Sequence, residues 1–219
     1  MKKLMNVSVL TTLLLVILVG CLGPSPEEKI YQKLEKVVSL EKSFQEQQEP
    51  LLALEKEENE LFNQIMDLGM KEFDQVVSLS NQALEMIDER EEKMQVENES
   101  ILASKEEFKG ITLEMEKIED EDTLEILENL QTTMENRYES YETLYNHYST
   151  SIKLDKELYE MLQNEELTME ELEEQISKIN DSYEKVMNEN EIFNGYTEEY
   201  NQLKIDFYQK AGLNVKEAE

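Results

Sequence analysis

Apolar residues recur at alternating intervals of three and four positions along most of the chain. This spacing follows the 3.6-residue period of an α-helix, so each segment that shows it is predicted to be a helix with one buried face. The pattern divides into four segments, over about residues 26–68, 71–118, 123–163 and 168–212. The chain has only 6 Gly and 3 Pro in 219 residues, so turns are few and the elements must be long.

Local signals at the segment ends support this division. Ser25 and Thr168 each precede a glutamate by three residues, which is the spacing of a capping box at a helix start. Asp122 precedes Glu125 in the same way, so the third helix is predicted to begin near Thr123.

Two features interrupt the apolar pattern. Pro50 lies inside the first segment and is predicted to kink or restart that helix, because proline lacks an amide hydrogen and clashes with the preceding turn. The stripe of the second segment contains four polar positions, Ser80, Arg90, Glu97 and Ser104. These positions indicate either a face that is only partly buried or polar layers that set the register of the helices.

Four helices of similar length joined by short turns predict an all-α fold, an elongated antiparallel up-and-down four-helix bundle. The alternative is a set of extended helical hairpins, or a coiled coil, that completes its core by dimerisation. We assign the bundle to residues 27–212 and a flexible tail to residues 213–219.

The N-terminal pattern differs from the rest of the chain. Lys2 and Lys3 precede an apolar run over residues 4–18, which is too short to cross a bilayer as a helix. A charged start followed by a short apolar run is typical of a signal peptide that is removed from the mature protein.

The run ends in Leu18, Val19, Gly20 and Cys21, which have the form of a bacterial lipoprotein cleavage box (lipobox), and Cys21 is the chain's only cysteine. We predict a cleaved signal peptide over residues 1–20, a diacylglyceryl group on Cys21, and a lipidated tether over residues 21–26. Two acyl chains give stable membrane anchoring. The alternatives are an ordinary secretory signal and an uncleaved membrane anchor.

The formal net charge is −30, and it becomes −32 once Lys2 and Lys3 leave with the signal peptide. Such a polyanion repels nucleic acid, so nucleic-acid binding is excluded as a function. It also repels anionic lipids and anionic wall polymers. Electrostatic contact with a wall would therefore need divalent cations or cationic substituents on the polymer.

Four tyrosines at helical spacing, Tyr138, Tyr141, Tyr145 and Tyr148, are candidates for a glycan-stacking or partner surface. The alternative is core packing with phenol hydroxyls at the edge of the bundle, and it is favoured because the stripe continues in leucines. Solvent exposure of these rings would favour the glycan hypothesis.

Other chemistry is sparse in this sequence. His147 is the only histidine, which makes a transition-metal site improbable, and the acidic run Glu119–Asp122 is better explained by the helix dipole than by calcium. Arg90 and Glu97 could line a pocket within the bundle, although we expect each to reach the rim and pair there. Motifs for nucleophilic or phosphate chemistry are missing, so we expect no enzyme, no cofactor and no metal.

The chain resembles the YkyA-type family of cell-wall-binding lipoproteins from Gram-positive bacteria. The resemblance covers nearly the whole mature chain. Besides the lipobox, it is carried by residues 88–93, 104–108, 138–148, 153–159 and 207–212. It implies a lipoprotein on the outer face of the cytoplasmic membrane, with a helical bundle in contact with the wall, and it brings no catalytic residues.

Two functions therefore stand as hypotheses. The first is a non-enzymatic, membrane-anchored scaffold that binds the wall or an envelope protein. The second is a carrier or sensor that holds a small ligand or a cation between the helices of the bundle.

Overall fold

The computed structural model of the chain describes residues 23–213. These residues form six α-helices linked by short turns and 3-10 segments: α1 (Pro26–Leu40), α2 (Lys42–Leu68), α3 (Phe73–Phe108), α4 (Thr112–Met115), α5 (Glu121–Met161) and α6 (Met169–Lys210). Over the described range there is no β-strand, so the all-α prediction is confirmed.

The six helices make four long rods. α1 and α2 form the first rod, and α3 with α4 forms the second, while α5 and α6 are each a single rod. α2 packs along α3, and α5 packs along α6, as two helical hairpins. The two hairpins join where α3 packs on α5, while α1 packs on α3 within the first hairpin. The backbones of α2 and α6 hardly approach each other, which leaves that side of the bundle open.

The helical face of α3 shows how the sequence specifies this packing. Residues seven apart are buried along its whole length, and they continue into the segment after it. One such series is Val76, Ala83, Arg90, Glu97, Ser104, Ile111 and Ile118. An unbroken heptad repeat keeps one seam facing the neighbouring helices, so the polar members of the series are buried together with the apolar ones.

Pro50 does not restart the first rod, so the predicted restart is wrong, and the predicted kink stays a prediction. α2 runs through Pro50, and the rod is interrupted nine residues earlier, at Glu41. There the hydroxyl of Ser100 donates to the Leu40 carbonyl oxygen (2.6 Å) and accepts from the Phe44 amide (3.2 Å). Ser100 from α3 thus replaces the backbone hydrogen bond between the Phe44 amide and the Leu40 carbonyl oxygen. Insertion of a side chain in this way is a recognised cause of a helix break.

The helix caps were mostly predicted correctly. The capping boxes at Ser25 and Thr168 are confirmed. The third box is wrong, because Asp120 rather than Asp122 caps α5 by accepting from the amide of Thr123 (2.9 Å). α5 therefore begins at Glu121, two residues before the predicted start.

The apolar core is formed by two clusters of buried side chains. The first contains Ile30, Leu34, Phe108, Leu127 and Phe207, and it fills the part of the bundle built around α1. The second contains Ile65, Val76, Ile87, Ile152 and Leu172, and it fills the part built around α2. One buried polar layer accompanies each cluster.

Candidate functional site

Arg90 lies at the centre of the first polar layer, with 1% of its surface exposed. Its guanidinium contacts the carboxylate of Glu58 on α2 and lies 3.2 Å from Asp155 on α5. It also donates to the hydroxyls of Tyr148 (3.0 Å) and of Tyr183 on α6 (2.7 Å). Four helices therefore meet at the Arg90 side chain, and each nitrogen of its guanidinium group has a hydrogen-bond acceptor.

The charges in this Arg90 layer do not balance. Glu55 joins the layer from its exposed side, accepting from the Tyr148 hydroxyl (2.5 Å) and lying 3.6 Å from Arg90. Three carboxyl groups thus face one guanidinium. Burial raises the pKa of Glu58 to about 7, although Arg90 opposes the shift. Burial also raises the pKa of Asp155. Near neutral pH Glu58 is therefore partly protonated, which relieves the excess of negative charge in the layer.

Arg137 on α5 is the centre of the second polar layer. Its guanidinium binds both carboxylate oxygens of Glu41 (2.9 and 2.8 Å) and donates to the Thr197 hydroxyl (2.8 Å). It also lies over the ring of Phe193, 4.7 Å from the centroid. Glu41 accepts a further bond from Ser104 on α3 (2.6 Å), so this layer also joins all four rods. One guanidinium here balances one carboxylate.

Glu97 lies between the two arginine layers and has no cationic partner among residues 23–213. Its carboxylate is buried and accepts from the side-chain amide of Gln48 on α2 (3.1 Å). Burial raises the pKa of Glu97 to about 7, and the neighbouring Tyr141 hydroxyl and Gln48 amide offset this only in part. Glu97 is therefore a buried acid that titrates near neutral pH.

The expectation that Arg90 and Glu97 reach the rim of the bundle is wrong, since both side chains are buried. The free-energy cost of burying Arg90 is offset by the hydrogen bonds that it donates to side chains on three other helices. The cost of burying Glu97 is offset by partial protonation of its carboxyl group. The other interpretation of these stripe positions, as polar layers within the bundle, describes them correctly.

A groove follows the open side of the bundle between α2 and α6, and we call it the α2–α6 groove. It contains two cavities of about 350 Å³ and 730 Å³, which share Glu55 and Tyr183 as lining residues. The smaller cavity lies over Arg90 and Asp155. The larger one has Glu97 in its lining. The groove thus borders the charge-rich half of the polar core.

The predicted tyrosine surface is not present. Tyr138, Tyr141 and Tyr148 are buried, and Tyr145 is half-buried against both apolar clusters. The hydroxyl of Tyr138 pairs with Ser104 (2.6 Å), and that of Tyr148 belongs to the Arg90 layer. Core packing, the favoured interpretation of this stripe, therefore describes these rings, because α5 is covered by neighbours on both sides; they form no exposed ladder for glycan stacking.

The remaining candidates have plain structural surroundings. His147 is half-buried on α5. In the acidic run, Asp120 caps α5 and Lys210 pairs with Asp122 (2.6 Å). No cluster of three metal-ligating side chains occurs within residues 23–213.

Arg137 and Asp155 were missed by the sequence analysis, although a signal for Arg137 exists. The chain has only two arginines, Arg90 and Arg137, among 21 basic residues. Both lie at heptad positions whose other members are mainly apolar. The heptad through Arg137 contains Leu130, Leu144 and Leu158. Arginine at such a position is typical of a buried ion pair rather than of a solvated surface.

The fold and its polar layers define a class of protein, a long all-α bundle held together by buried arginine layers. The family model described as "Putative cell-wall binding lipoprotein" (YkyA) matches residues 25–210. A relative from Bacillus subtilis (strain 168), "Uncharacterized lipoprotein YkyA", is 40% identical over 202 residues, which cover 92% of this chain and 91% of the relative. The chain therefore belongs to the YkyA family of lipoproteins.

One solved structure has a similar fold. It is the crystal structure of a conserved protein of unknown function from Staphylococcus aureus, with a TM-score of 0.57 and 12% sequence identity. The similarity covers 86% of this chain and 98% of the other. At this identity it supports the bundle architecture alone.

The predicted lipobox, Leu18 to Cys21, lies outside the described residues, as does most of the predicted tail. Within residues 23–213, none of the helices is both long enough and apolar enough to cross a membrane.

Proposed function

We propose that the mature protein is tethered through a diacylglyceryl group on Cys21 to the outer face of the cytoplasmic membrane. There it acts without catalysis as an interaction protein between the membrane and the wall. The lipobox in the sequence supports the tether. The family's description as cell-wall-binding lipoproteins supports the location.

The saturation of the two arginine layers is the observation that carries the non-enzymatic part of the proposal. Arg90 and Arg137 are both buried and donate their hydrogen bonds to side chains of the bundle. A group that polarises a substrate needs free donors or an open coordination site. These guanidinium groups serve instead to join four long rods into one rigid body.

The test of the tether is metabolic labelling with an alkyne-bearing fatty acid, followed by membrane fractionation. The wild-type protein is expected to carry label and to sediment with membranes. Cys21→Ser is expected to lose the label and to remain with its signal peptide attached. Label retained by the Cys21→Ser variant would contradict the tether.

The test of the interaction role is crosslinking in intact cells. A photoreactive residue at Glu142 on α5 or at Glu184 on α6, both exposed, is expected to capture wall material or an envelope protein. The purified protein is expected to release no soluble fragments from peptidoglycan. Capture of neither class of partner, or release of such fragments, would overturn this role.

A second candidate function is a carrier or sensor for a small ligand or a cation. The larger cavity of the α2–α6 groove favours it, since about 730 Å³ is within the usual range of ligand pockets. Calorimetric titration with divalent cations and with wall precursors at pH 7 tests this candidate. Heat that disappears in Glu97→Gln would support it.

A further inference from the structure

The α2–α6 groove is a long depression with a mainly apolar floor. Its larger cavity is lined by Leu51, Met94, Leu144 and Val186 among its apolar residues. On α2 the lining extends from Gln48 to Phe62, and the 14 helical steps between these two residues correspond to about 21 Å. The depression is therefore about as long as four turns of an α-helix.

The lips of the groove carry two apolar side chains that the bundle leaves in water. Leu52 on α2 is 68% exposed, and Met187 on α6 is 62% exposed. They lie on opposite lips of the same cavity. Apolar side chains gathered on the two edges of a depression are typical of a surface that binds another molecule.

The charge of the groove is of one sign. Its two cavities are lined by six carboxyl side chains, Glu49, Glu55, Glu58, Glu97, Asp155 and Glu191, and by no lysine. The single arginine, Arg90, is already saturated by its own layer. Glu97 has no cationic partner in the described part of the chain and titrates near pH 7. Glu49, Glu55 and Glu191 are the groove carboxylates that reach solvent, so a ligand that brings positive charge would gain electrostatic energy from them.

We propose that the α2–α6 groove binds a basic amphipathic helix of a partner protein, with the partner's apolar face between Leu52 and Met187 and its lysine or arginine side chains on the groove carboxylates. The length, the apolar floor and the negative charge each fit such a helix. This inference rests on the proposed role as an interaction protein and names the kind of partner.

Two other occupants fit the groove less well. A second copy of this chain would bring a net charge of −30, or −32 after signal removal, against the same carboxylates. An uncharged glycan can donate hydroxyl hydrogen bonds to the carboxylates, but it brings no positive charge and would leave the apolar lips without apolar partners.

The test uses the lipid-anchored protein in phosphatidylcholine nanodiscs, with empty nanodiscs as the blank. The probe is a fluorescent helical peptide of about 14 residues, made of leucine and lysine in an amphipathic order. Two further peptides carry glutamate in place of lysine, or the same residues in scrambled order. Fluorescence anisotropy at physiological ionic strength measures each affinity. Only the ordered Leu/Lys peptide is expected to bind well.

The chain offers a matched pair of double variants. Leu52→Lys with Met187→Lys places two positive charges on the groove lips. Leu113→Lys with Met169→Lys makes the same chemical change at residues that are 66% and 68% exposed and lie outside the groove. All four positions are exposed, so both double variants are expected to retain the helical circular dichroism of the wild type.

The groove variant is expected to bind the Leu/Lys peptide at least about tenfold more weakly, whereas the control variant keeps wild-type affinity within about twofold. Equal weakening in both variants would show attraction by overall charge and would overturn the proposal. So would the absence of binding to the wild type, a dimer that the groove variant dissociates in sedimentation velocity, or displacement of the peptide by soluble wall fragments. The assay also works with protein that lacks the lipid, so failure of the groove and failure of the tether give different results.

Discussion

The two arginine layers have the same design and different charge balance. Arg137 faces one carboxylate, Glu41, which it holds by two hydrogen bonds. Arg90 faces Glu58 and Asp155 at close range, and Glu55 at 3.6 Å. The Arg137 layer therefore balances its charge, whereas the Arg90 layer carries an excess of carboxyl groups.

The packing between the first rod and α6 also differs between the two layers. Around Arg137 the seam between the first rod and α6 is filled by rings, with Phe44 and Phe193 in edge contact at 5.8 Å. Around Arg90 the corresponding seam is the α2–α6 groove. The comparison indicates that the half of the bundle around Arg137 is a closed structural unit. The half around Arg90 holds Glu58 and Glu97, whose protonation can change near neutral pH, and it borders the groove.

Arg90→Met is expected to have the largest effect. It leaves Glu58 and Asp155 buried without a cation, so the free energy of unfolding at pH 8 should fall by about 3 to 5 kcal/mol. Arg137→Met leaves only Glu41, which is partly exposed, and should cost about 2 kcal/mol. Urea denaturation followed by circular dichroism measures both losses.

The charge difference predicts a second distinction between these two variants. The deficit of Arg90→Met should shrink at pH 5.5, where Glu58 holds its proton in the folded state, since the pKa of Glu58 is about 7 even beside Arg90. Equal deficits for both variants at both pH values would contradict the contrast between the layers.

Glu97→Gln is expected to have the next largest effect, and it should depend on pH. The pKa of Glu97 is about 7 in the folded chain and near 4.5 when exposed, so the folded state holds a proton that the unfolded state has lost. This contribution to stability is full below pH 4.5 and is lost as the pH rises through 7. Glu97→Gln should therefore stabilise the protein by about 1 to 3 kcal/mol at pH 8, and little at pH 4.

Glu92→Gln is the control for this measurement, because it removes one charge from an exposed position of the same helix. Its effect on the free energy of unfolding should be small at both pH values. A stabilisation by Glu97→Gln that is equal at pH 4 and pH 8 would show that the carboxyl group is not protonated by burial.

Ser100→Ala tests the closed half and should have the smallest effect of the three. It removes the hydroxyl that bridges Leu40 and Phe44, so about 1 to 2 kcal/mol of stability should be lost. Hydrogen exchange at the Phe44 amide should become faster. The exposed Ser78→Ala is the control. Unchanged protection at Phe44 would mean that the break at Glu41 does not depend on Ser100.

The local features of the fold could be predicted because they depend on neighbours in the sequence. Capping boxes need residues three apart, and Ser25 and Thr168 have them. The start of α5 was placed two residues late because Glu119–Asp122 offers several acidic residues in a row. Only the folded turn selects Asp120.

The break at Glu41 could not be predicted locally. Pro50 is the strongest local signal for an interruption, yet the structure places the interruption where Ser100 inserts from α3. Ser100 is 60 residues from Leu40 in the sequence, so only the packing of α3 against the first rod brings the two together.

The sequence by itself determined the four long helical segments and the faces they bury, because these follow from periodicity over a few residues. Tertiary structure alone decided the partners of Arg90, which lie 32, 65 and 93 residues away on three other helices. It also decided that α2 and α6 leave a groove between them. Charge balance and cavity shape depend on how distant faces meet, and a helical period of 3.6 residues carries no information about that meeting.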